Sequence, residues 1–237
     1  MKPNETDASW YFAYGSNMVS DVFVTRRKIS PVRSEVACIK SHTLCFNIMG
    51  IPYSDPAMAG IRAIEDEKED KAVYGVAYLL SQEDLHRVVL TEGGGIAYDT
   101  AVLDGSLERD GSPIRVTTLI GRHAIELSYE RLPSERYLGL LVRGARDHSL
   151  PEPYQNRLAA HATFHPLQTR RYQIGKWLFS SFWQRVAYWI ERGVHRFKGP
   201  DGCVPKWFLI IFDCLLWTMW IYHDYVHCHL WGRGDGR

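Results

Sequence analysis

Short apolar runs broken by turn-forming residues fill the first two thirds of the chain. Residues 10–14, W-Y-F-A-Y, suit a buried strand that stops at Gly15-Ser16-Asn17, three residues that favour a turn. Residues 38–49 carry alternating and β-branched positions ended by Gly50, and residues 60–64 read as a further short strand. The acidic run 65–70 reads as a solvated loop, and residues 72–80, A-V-Y-G-V-A-Y-L-L, as a strong strand. Ser81 stands as a helix N-cap with Asp84 as its capping-box partner. Leu85, Val88 and Val89 follow at helical spacing, so a short helix runs to about Leu90. Residues 98–103 and 114–120 read as two strands joined by a turn through Asp104-Gly105 and Asp110-Gly111. Helices are expected over 137–144 and 153–161. Many strands among few helices predict an α+β fold.

The pattern changes around 165–172, at His165-Pro166 and the Arg170-Arg171 pair. This divides a first domain, 9–165, from a helical extension, 172–237. Trp177, Phe182, Trp183, Val186, Trp189 and Ile190 form a wide apolar stripe at helical spacing. Lys206 precedes an apolar run, 207–222, in which Asp213 is the one acidic or basic residue. A membrane span needs about 20 apolar residues, and a central carboxylate costs about 2.5–3.5 kcal/mol on insertion scales. Three arrangements remain open: a hairpin buried against the first domain, an interfacial membrane helix, and a tail anchor. The tryptophans, with Arg192, Arg196, Lys198 and Lys206 nearby, suit an interfacial element. His223, His227, Cys228 and His229 are metal-ligating types, but their spacing matches no standard zinc pattern and no metal is expected.

Composition sharpens this division. The 237 residues carry 28 basic and 27 acidic side chains, a net charge of +1. Residues 1–150 hold 17 basic and 21 acidic groups, and residues 151–237 hold 11 and 6. Seven of the eight tryptophans lie after residue 170. Near-neutrality argues against nucleic acid as a partner. Apolar residues at 46% exclude a disordered chain. Five scattered cysteines with no C-x-x-C support neither a zinc site nor a disulfide framework, so a reduced, cytoplasmic setting is expected. The polar residues 1–9 lack a signal-peptide core.

The nucleophile elbow, the phosphate loop and the H-E-x-x-H metal motif are all missing, and Gly93-Gly94-Gly95 is not a dinucleotide turn. Two loops are candidates for chemistry. Tyr14-Gly15-Ser16-Asn17 ends a strand in small residues, and such a loop can turn backbone N–H groups toward a carboxylate or oxyanion, or be only a tight turn. Glu92 follows the short helix and precedes three glycines. The negative end of a helix raises a carboxylate's proton affinity, which suits a general base, although a solvated Glu before a helix-stopping Gly has the same pattern.

The string Tyr11-Phe12-Ala13-Tyr14-Gly15-Ser16-Asn17-Met18 resembles the signature of the gamma-glutamylcyclotransferases. Further segments resemble that family in the same order. They are Gly60-Ile61-Arg62-Ala63-Ile64, Val73-Tyr74-Gly75-Val76-Ala77-Tyr78, Leu90-Thr91-Glu92-Gly93 with Tyr98 closing a loop about one residue shorter, Pro133-Ser134-Glu135-Arg136-Tyr137, and Gly144-Ala145 with Leu150-Pro151 and Tyr154. The likeness covers roughly residues 10–160. It implies a compact mixed β-barrel with flanking helices, no metal or organic cofactor, and cleavage of a gamma-glutamyl amide with release of 5-oxoproline. In that chemistry the substrate's α-amine attacks its own γ-carbonyl, so no Ser or Cys nucleophile is needed. The resemblance makes Glu92 the catalytic proton carrier. Tyr11, Phe12, Ala13, Tyr14, Gly15, Ser16, Asn17, Tyr98 and Tyr137 become substrate-binding residues, with Tyr137 holding the carboxylate in place.

The aromatic extension has no counterpart in the family core. It resembles the tails of fungal members tied to sulfur-bridged dioxopiperazine toxins of the gliotoxin type, which implies a glutathione adduct as substrate. Two other functions fit the sequence: a general gamma-glutamyl amino acid cyclotransferase of glutathione turnover, and a non-catalytic, membrane-associated interaction protein working through its tail. The expected partners are a small gamma-glutamyl compound and, through residues 172–231, a membrane surface.

Overall fold

In the computed structural model, residues 8–64, 71–91, 98–122, 129–199 and 203–236 are described. The strands are β1 (Ala8–Ala13), β2 (Arg33–Ile39), β3 (His42–Ile51), β4 (Asp55–Ala63), β5 (Val73–Ser81), β6 (Tyr98–Leu107) and β7 (Pro113–Gly121). Five of them close a barrel in the order β1-β5-β2-β6-β7, with β7 running parallel to β1. Tyr11 lies opposite Tyr78, Val36 opposite Val76, and Phe12 opposite Ala77 on one side and Thr118 on the other. β5 is buried almost throughout because both of its faces are covered, which is why it reads as one continuous apolar run. Gly75 sits just beyond the end of the β1–β5 ladder: a Cβ there would lie 2.3 Å from the Ala13 carbonyl oxygen and 2.8 Å from the Phe12 ring. β3 and β4 form a separate antiparallel hairpin with a register shift between Cys45 and Ile48.

Two sequence expectations change here. The run over 38–49 is not one strand, because the chain turns at Lys40-Ser41 and divides it between β2 and β3. Asp104-Gly105 is not a turn but part of β6, paired with Arg115 and Ile114. A Cβ at Gly105 would lie 2.9 Å from the Cys38 carbonyl oxygen, so this glycine serves strand contact. The turn uses Asp110-Gly111 instead, with Gly111 at φ +69° and the Asp110 carboxylate accepting the Ser112 N–H at 2.9 Å. The acidic run 65–70 lies outside the described residues.

The helices seat the loops at one end of the barrel. α1 (Gln82–Thr91) starts at Ser81, whose hydroxyl accepts the Asp84 N–H at 3.1 Å. α2 (Glu135–Asp147) starts at Ser134, which accepts the Tyr137 N–H at 3.0 Å, and buries Tyr137, Leu138, Leu141, Gly144 and Ala145 on one face. Gly144 lets α2 approach the chain after β1, since a Cβ there would lie 2.6 Å from the Met18 Cβ. α3 (Glu152–Ala159) packs beside α2.

The extension is helical: α4 (Arg170–Phe197), α5 (Lys206–Tyr222), a π-helical turn over His223–His227, and α6 (Cys228–Trp231). α5 runs back along α4, with Phe208 against Gly193, Leu216 and Met219 near Trp183 and Val186, and Tyr222 stacked on Phe179. The hairpin grips the β3–β4 turn. Tyr53 is fully buried there at φ +66°, with its ring edge-on to Tyr172, His223 and His227 and tilted against Phe179. A bulky residue at positive φ needs such support. Its N–H donates to the Gly234 carbonyl at 2.7 Å, its hydroxyl to the Gly232 carbonyl at 2.5 Å, and Trp220 Nε1 donates to the Gly50 carbonyl at 3.1 Å. His223 accepts the Gly234 N–H at 2.9 Å and donates from Nδ1 to Asp224. His227 donates from Nε2 to the Gly175 carbonyl at 3.0 Å, which leaves Nδ1 to accept from Tyr222. Arg131 and Arg233 pair with Asp224, and Arg233 also pairs with Asp235. Both buried histidines therefore tie the extension together.

The expected apolar stripe is split. Trp183, Val186 and Ile190 face α5, whereas Trp177, Phe182 and Trp189 point outward, with Trp177 and Trp189 66% and 67% exposed. Trp207, Ile210, Ile211 and Trp217 of α5 are also exposed. One hairpin contact covers only a narrow stripe on each helix. Asp213 pairs with Arg122. Among the described residues, no helix is long and apolar enough to cross a membrane.

Candidate active site

β1 ends at Ala13, and after Tyr14 the chain passes through Gly15 into a single 3-10 turn, Ser16–Met18. The Met18 N–H bonds to the Gly15 carbonyl at 3.0 Å and the Val19 N–H to the Ser16 carbonyl at 3.1 Å. The amides at the start of such a turn have no partner inside it. The turn is fixed from behind by His148 Nε2, 2.9 Å from the Met18 carbonyl oxygen, and from the side by Asn17 Nδ2, which donates to Tyr11 Oη at 3.0 Å. Tyr11 stacks on Phe23 and Phe23 on Tyr78, with ring centroids 5.7 and 4.4 Å apart.

In front of the turn lies a cleft of about 600 Å³. The β1 segment and turn supply Tyr11, Ala13, Tyr14, Gly15, Ser16 and Asn17. The β3–β4 hairpin supplies Ile48, Met49, Gly50, Met58 and Ala59, and α2 supplies Arg136, Tyr137 and Leu140. Tyr137 Oη accepts the Ala59 N–H at 3.1 Å, so α2 and β4 together orient this phenol. A Cβ at Gly15 would lie 3.6 Å from the same oxygen. Tyr14 donates to the Leu119 carbonyl at 2.6 Å. Burial, with Tyr98, Tyr11 and Tyr137 nearby, holds the Tyr14 pKa well above its usual value, so it stays a protonated donor. Cys45, behind this wall, is pushed up to about 12 by burial and by Glu130, which makes it a poor nucleophile at neutral pH.

Glu92 lies outside the described residues, as do Gly93-Gly94-Gly95. Its two flanks are described, and both reach the cleft. Thr91 ends α1 and Tyr98 opens β6, and each lines the cavity. Thr91 is held by Arg27 Nη1 at 2.7 Å, and its hydroxyl donates to the Val88 carbonyl at 3.0 Å.

Of the substrate-binding residues expected from the sequence, the structure gathers Tyr11, Ala13, Tyr14, Gly15, Ser16, Asn17, Tyr98 and Tyr137 around this one cavity. Phe12 is the exception. Strand alternation turns it to the opposite face, where it is fully buried beneath Gly75, and its carbonyl accepts from Thr118 Oγ1 at 2.9 Å. Sequence reasoning missed the β3–β4 wall and three arginines, Arg26, Arg27 and Arg136. The basic run Arg26-Arg27-Lys28 just after the turn was the available signal. Met49 belongs to the cleft wall and also to the apolar cluster formed with Tyr53, Phe179 and Trp220, so the extension braces one side of the site.

A small mixed barrel with a phenol-lined cleft at a G-S-N turn defines the class: the chain belongs to the gamma-glutamyl cyclotransferase family and is an enzyme of that class. It is 54% identical over 222 residues to the gamma-glutamyl cyclotransferase gliK of Claviceps purpurea, covering 93% of this chain and all of that one. It is 34% identical to the gamma-glutamyl cyclotransferase gliK of Aspergillus fumigatus, covering 96% of this chain and 89% of that one. Residues 169–230 match the family described as the AclK C-terminal domain. A solved gamma-glutamyl cyclotransferase structure shares the fold at a TM-score of 0.55 and 20% identity, over 69% of this chain and 92% of that one.

Proposed function

We propose that the chain releases 5-oxoproline from a glutathione-derived conjugate during synthesis of a sulfur-bridged fungal toxin of the gliotoxin type. The substrate's α-amine attacks its γ-carbonyl carbon. A C–N bond closes the five-membered lactam, the amide C–N bond breaks, and the amine departs. Tethering supplies a large effective molarity once the glutamyl group is folded on itself. The proton lost by the attacking ammonium must reach the leaving amine, and one carboxylate, Glu92, can make both transfers. The amides of Gly15, Ser16 and Asn17 receive the α-carboxylate and the carbonyl oxygen as charge develops there. Tyr137, oriented by Ala59, holds the carboxylate, and Tyr98 closes the loop. The observation that carries this reading is that both ends of the Glu92 segment, Thr91 and Tyr98, open onto the cleft bounded by the G-S-N turn and Tyr137.

The size of the cleft and its wall of Ile48, Met49, Met58 and Leu140 favour a bulky, apolar S-substituent over a lone amino acid as the leaving half. Mass spectrometry of products from a panel of gamma-glutamyl amino acids and glutathione S-conjugates tests this. Turnover confined to small gamma-glutamyl amino acids would move the enzyme to general glutathione turnover.

The catalytic unit is residues 9–165 and the extension residues 172–237. The extension's outer face meets a membrane surface from the cytoplasmic side. What supports this is the set of exposed apolar side chains Trp177, Phe182, Trp189, Trp207 and Ile210 beside exposed Arg185, Arg192 and Lys206. Flotation with vesicles containing anionic lipid is expected to carry the full chain upward. A chain that stays at the bottom of the gradient would remove the membrane from the account.

A further inference from the structure

We infer that Arg26 receives the carboxylate of the leaving half of the substrate and so selects conjugates that keep a free C-terminal carboxylate. This rests on the gamma-glutamyl reading of the cleft. Among the described residues, the cavity is lined by three guanidinium groups and by no Asp or Glu. Two of the three are committed. Arg136 pairs with Asp55 at 2.6 Å, and Asp55 also accepts from Ser134 at the start of α2. Arg27 holds Thr91 at 2.7 Å. Arg26 is exposed at the rim and has no hydrogen bond or ion pair among the described residues.

The local backbone explains its direction. Asp21–Arg26 forms a π-helical turn with Phe23 buried beneath it. Val22 and Arg26, four residues apart, both line the cavity. The turn thus offers an apolar side chain and a cation side by side at the cleft mouth.

The charge of the substrate supplies the complement. A gamma-glutamyl head brings one carboxylate and one ammonium, and the G-S-N turn takes that carboxylate. A leaving half ending in a cysteinylglycine-type unit brings a second carboxylate, separated from the scissile amide by the length of the dipeptide. Guanidinium is suited to it because its fork matches a carboxylate and it cannot lose its proton.

The test compares S-benzylglutathione with its C-terminal carboxamide, in which the second charge is removed and the gamma-glutamyl head kept. Kd is measured by calorimetry in the Glu92→Gln background, so that binding is read without turnover. Because Arg26 is exposed, the acid is expected to bind roughly fivefold more tightly than the amide. With Arg26→Gln added, the ratio should fall to about one, and with Arg26→Lys it should lie between. An acid-to-amide ratio unchanged by Arg26→Gln, or an equal loss on both ligands, would overturn the assignment. The second of these outcomes would place Arg26 on the α-carboxylate. Failure of the wild-type enzyme to release 5-oxoproline from any gamma-glutamyl compound would sink the underlying reading, while the binding ratio would still report on Arg26.

Discussion

Gly15 is where the structure permits the sharpest perturbation. Its φ is −112°, so a side chain there carries no left-handed strain. An added Cβ would make ordinary contacts, 3.6 Å to Tyr137 Oη and 3.9 Å to Ala59 Cβ. Gly15→Ala should therefore fold with little change. Gly15→Val adds two further methyl groups in the space between the turn and Tyr137. Overpacking of this kind costs about 1–3 kcal/mol. At roughly 2–4 °C per kcal/mol for a chain of this size, Tm should fall by no more than about 12 °C. The rate should suffer far more. A displaced Tyr137 and an obstructed turn misplace the reacting groups, and a shift of about 1 Å can cost about 10²-fold. The assay is 5-oxoproline release per folded molecule, with Tm from calorimetry on the same samples. Full activity in a folded Gly15→Val enzyme would refute the substrate-binding role of the turn and leave it a simple chain reversal.

Two further outcomes follow from the extension. Trp220→Phe removes the donor to the Gly50 carbonyl, and an unsatisfied buried acceptor costs about 1–3 kcal/mol. KM for a bulky S-conjugate should rise more than KM for a small gamma-glutamyl amino acid, because Met49 and Gly50 wall the cleft; equal kinetics on both would leave the extension without influence on the site. His227 has its pKa lowered from 6.5, chiefly by burial, so the folded chain favours the neutral ring and the unfolded chain binds the extra proton first. Its contribution to stability is complete above about pH 6.5 and is lost as pH falls toward the folded value. Tm should drop on going from pH 7 to pH 5, and His227→Gln should flatten that drop; an identical pH profile in the variant would count against it.

Local pattern was enough wherever one stretch of chain decides its own conformation. The aromatic run of β1, the continuous burial of β5 and the Ser81 cap are all readable in order along the sequence. Misreadings arose where a distant segment decides. Gly105 resembles a turn residue until Cys38 of β2 lies against it. Phe12 is a different case, since it sits inside a contiguous motif and the local two-residue period of the strand alone sends its side chain to the far side from Tyr11 and Ala13. The Tyr53 clamp joins positions 179 residues apart through Gly232, and no local signal encodes such a contact. The phenols of the site were legible through the motif. The hairpin wall was not, since it carries no repeating pattern, and Arg26 was signalled only by the basic run Arg26-Arg27-Lys28.

Intramolecular attack leaves a signature that separates it from hydrolysis. The reaction of a glutathione S-conjugate in ¹⁸O-labelled water, followed by mass spectrometry with the wild-type and Glu92→Gln enzymes, reads it directly. Lactam closure uses no water, so the wild-type enzyme should yield unlabelled 5-oxoproline in equal amount to the free amine. Glu92→Gln should slow the release by at least about 10²-fold with Tm unchanged. Glutamate bearing ¹⁸O, or undiminished turnover in Glu92→Gln, would contradict cyclisation through this carboxylate.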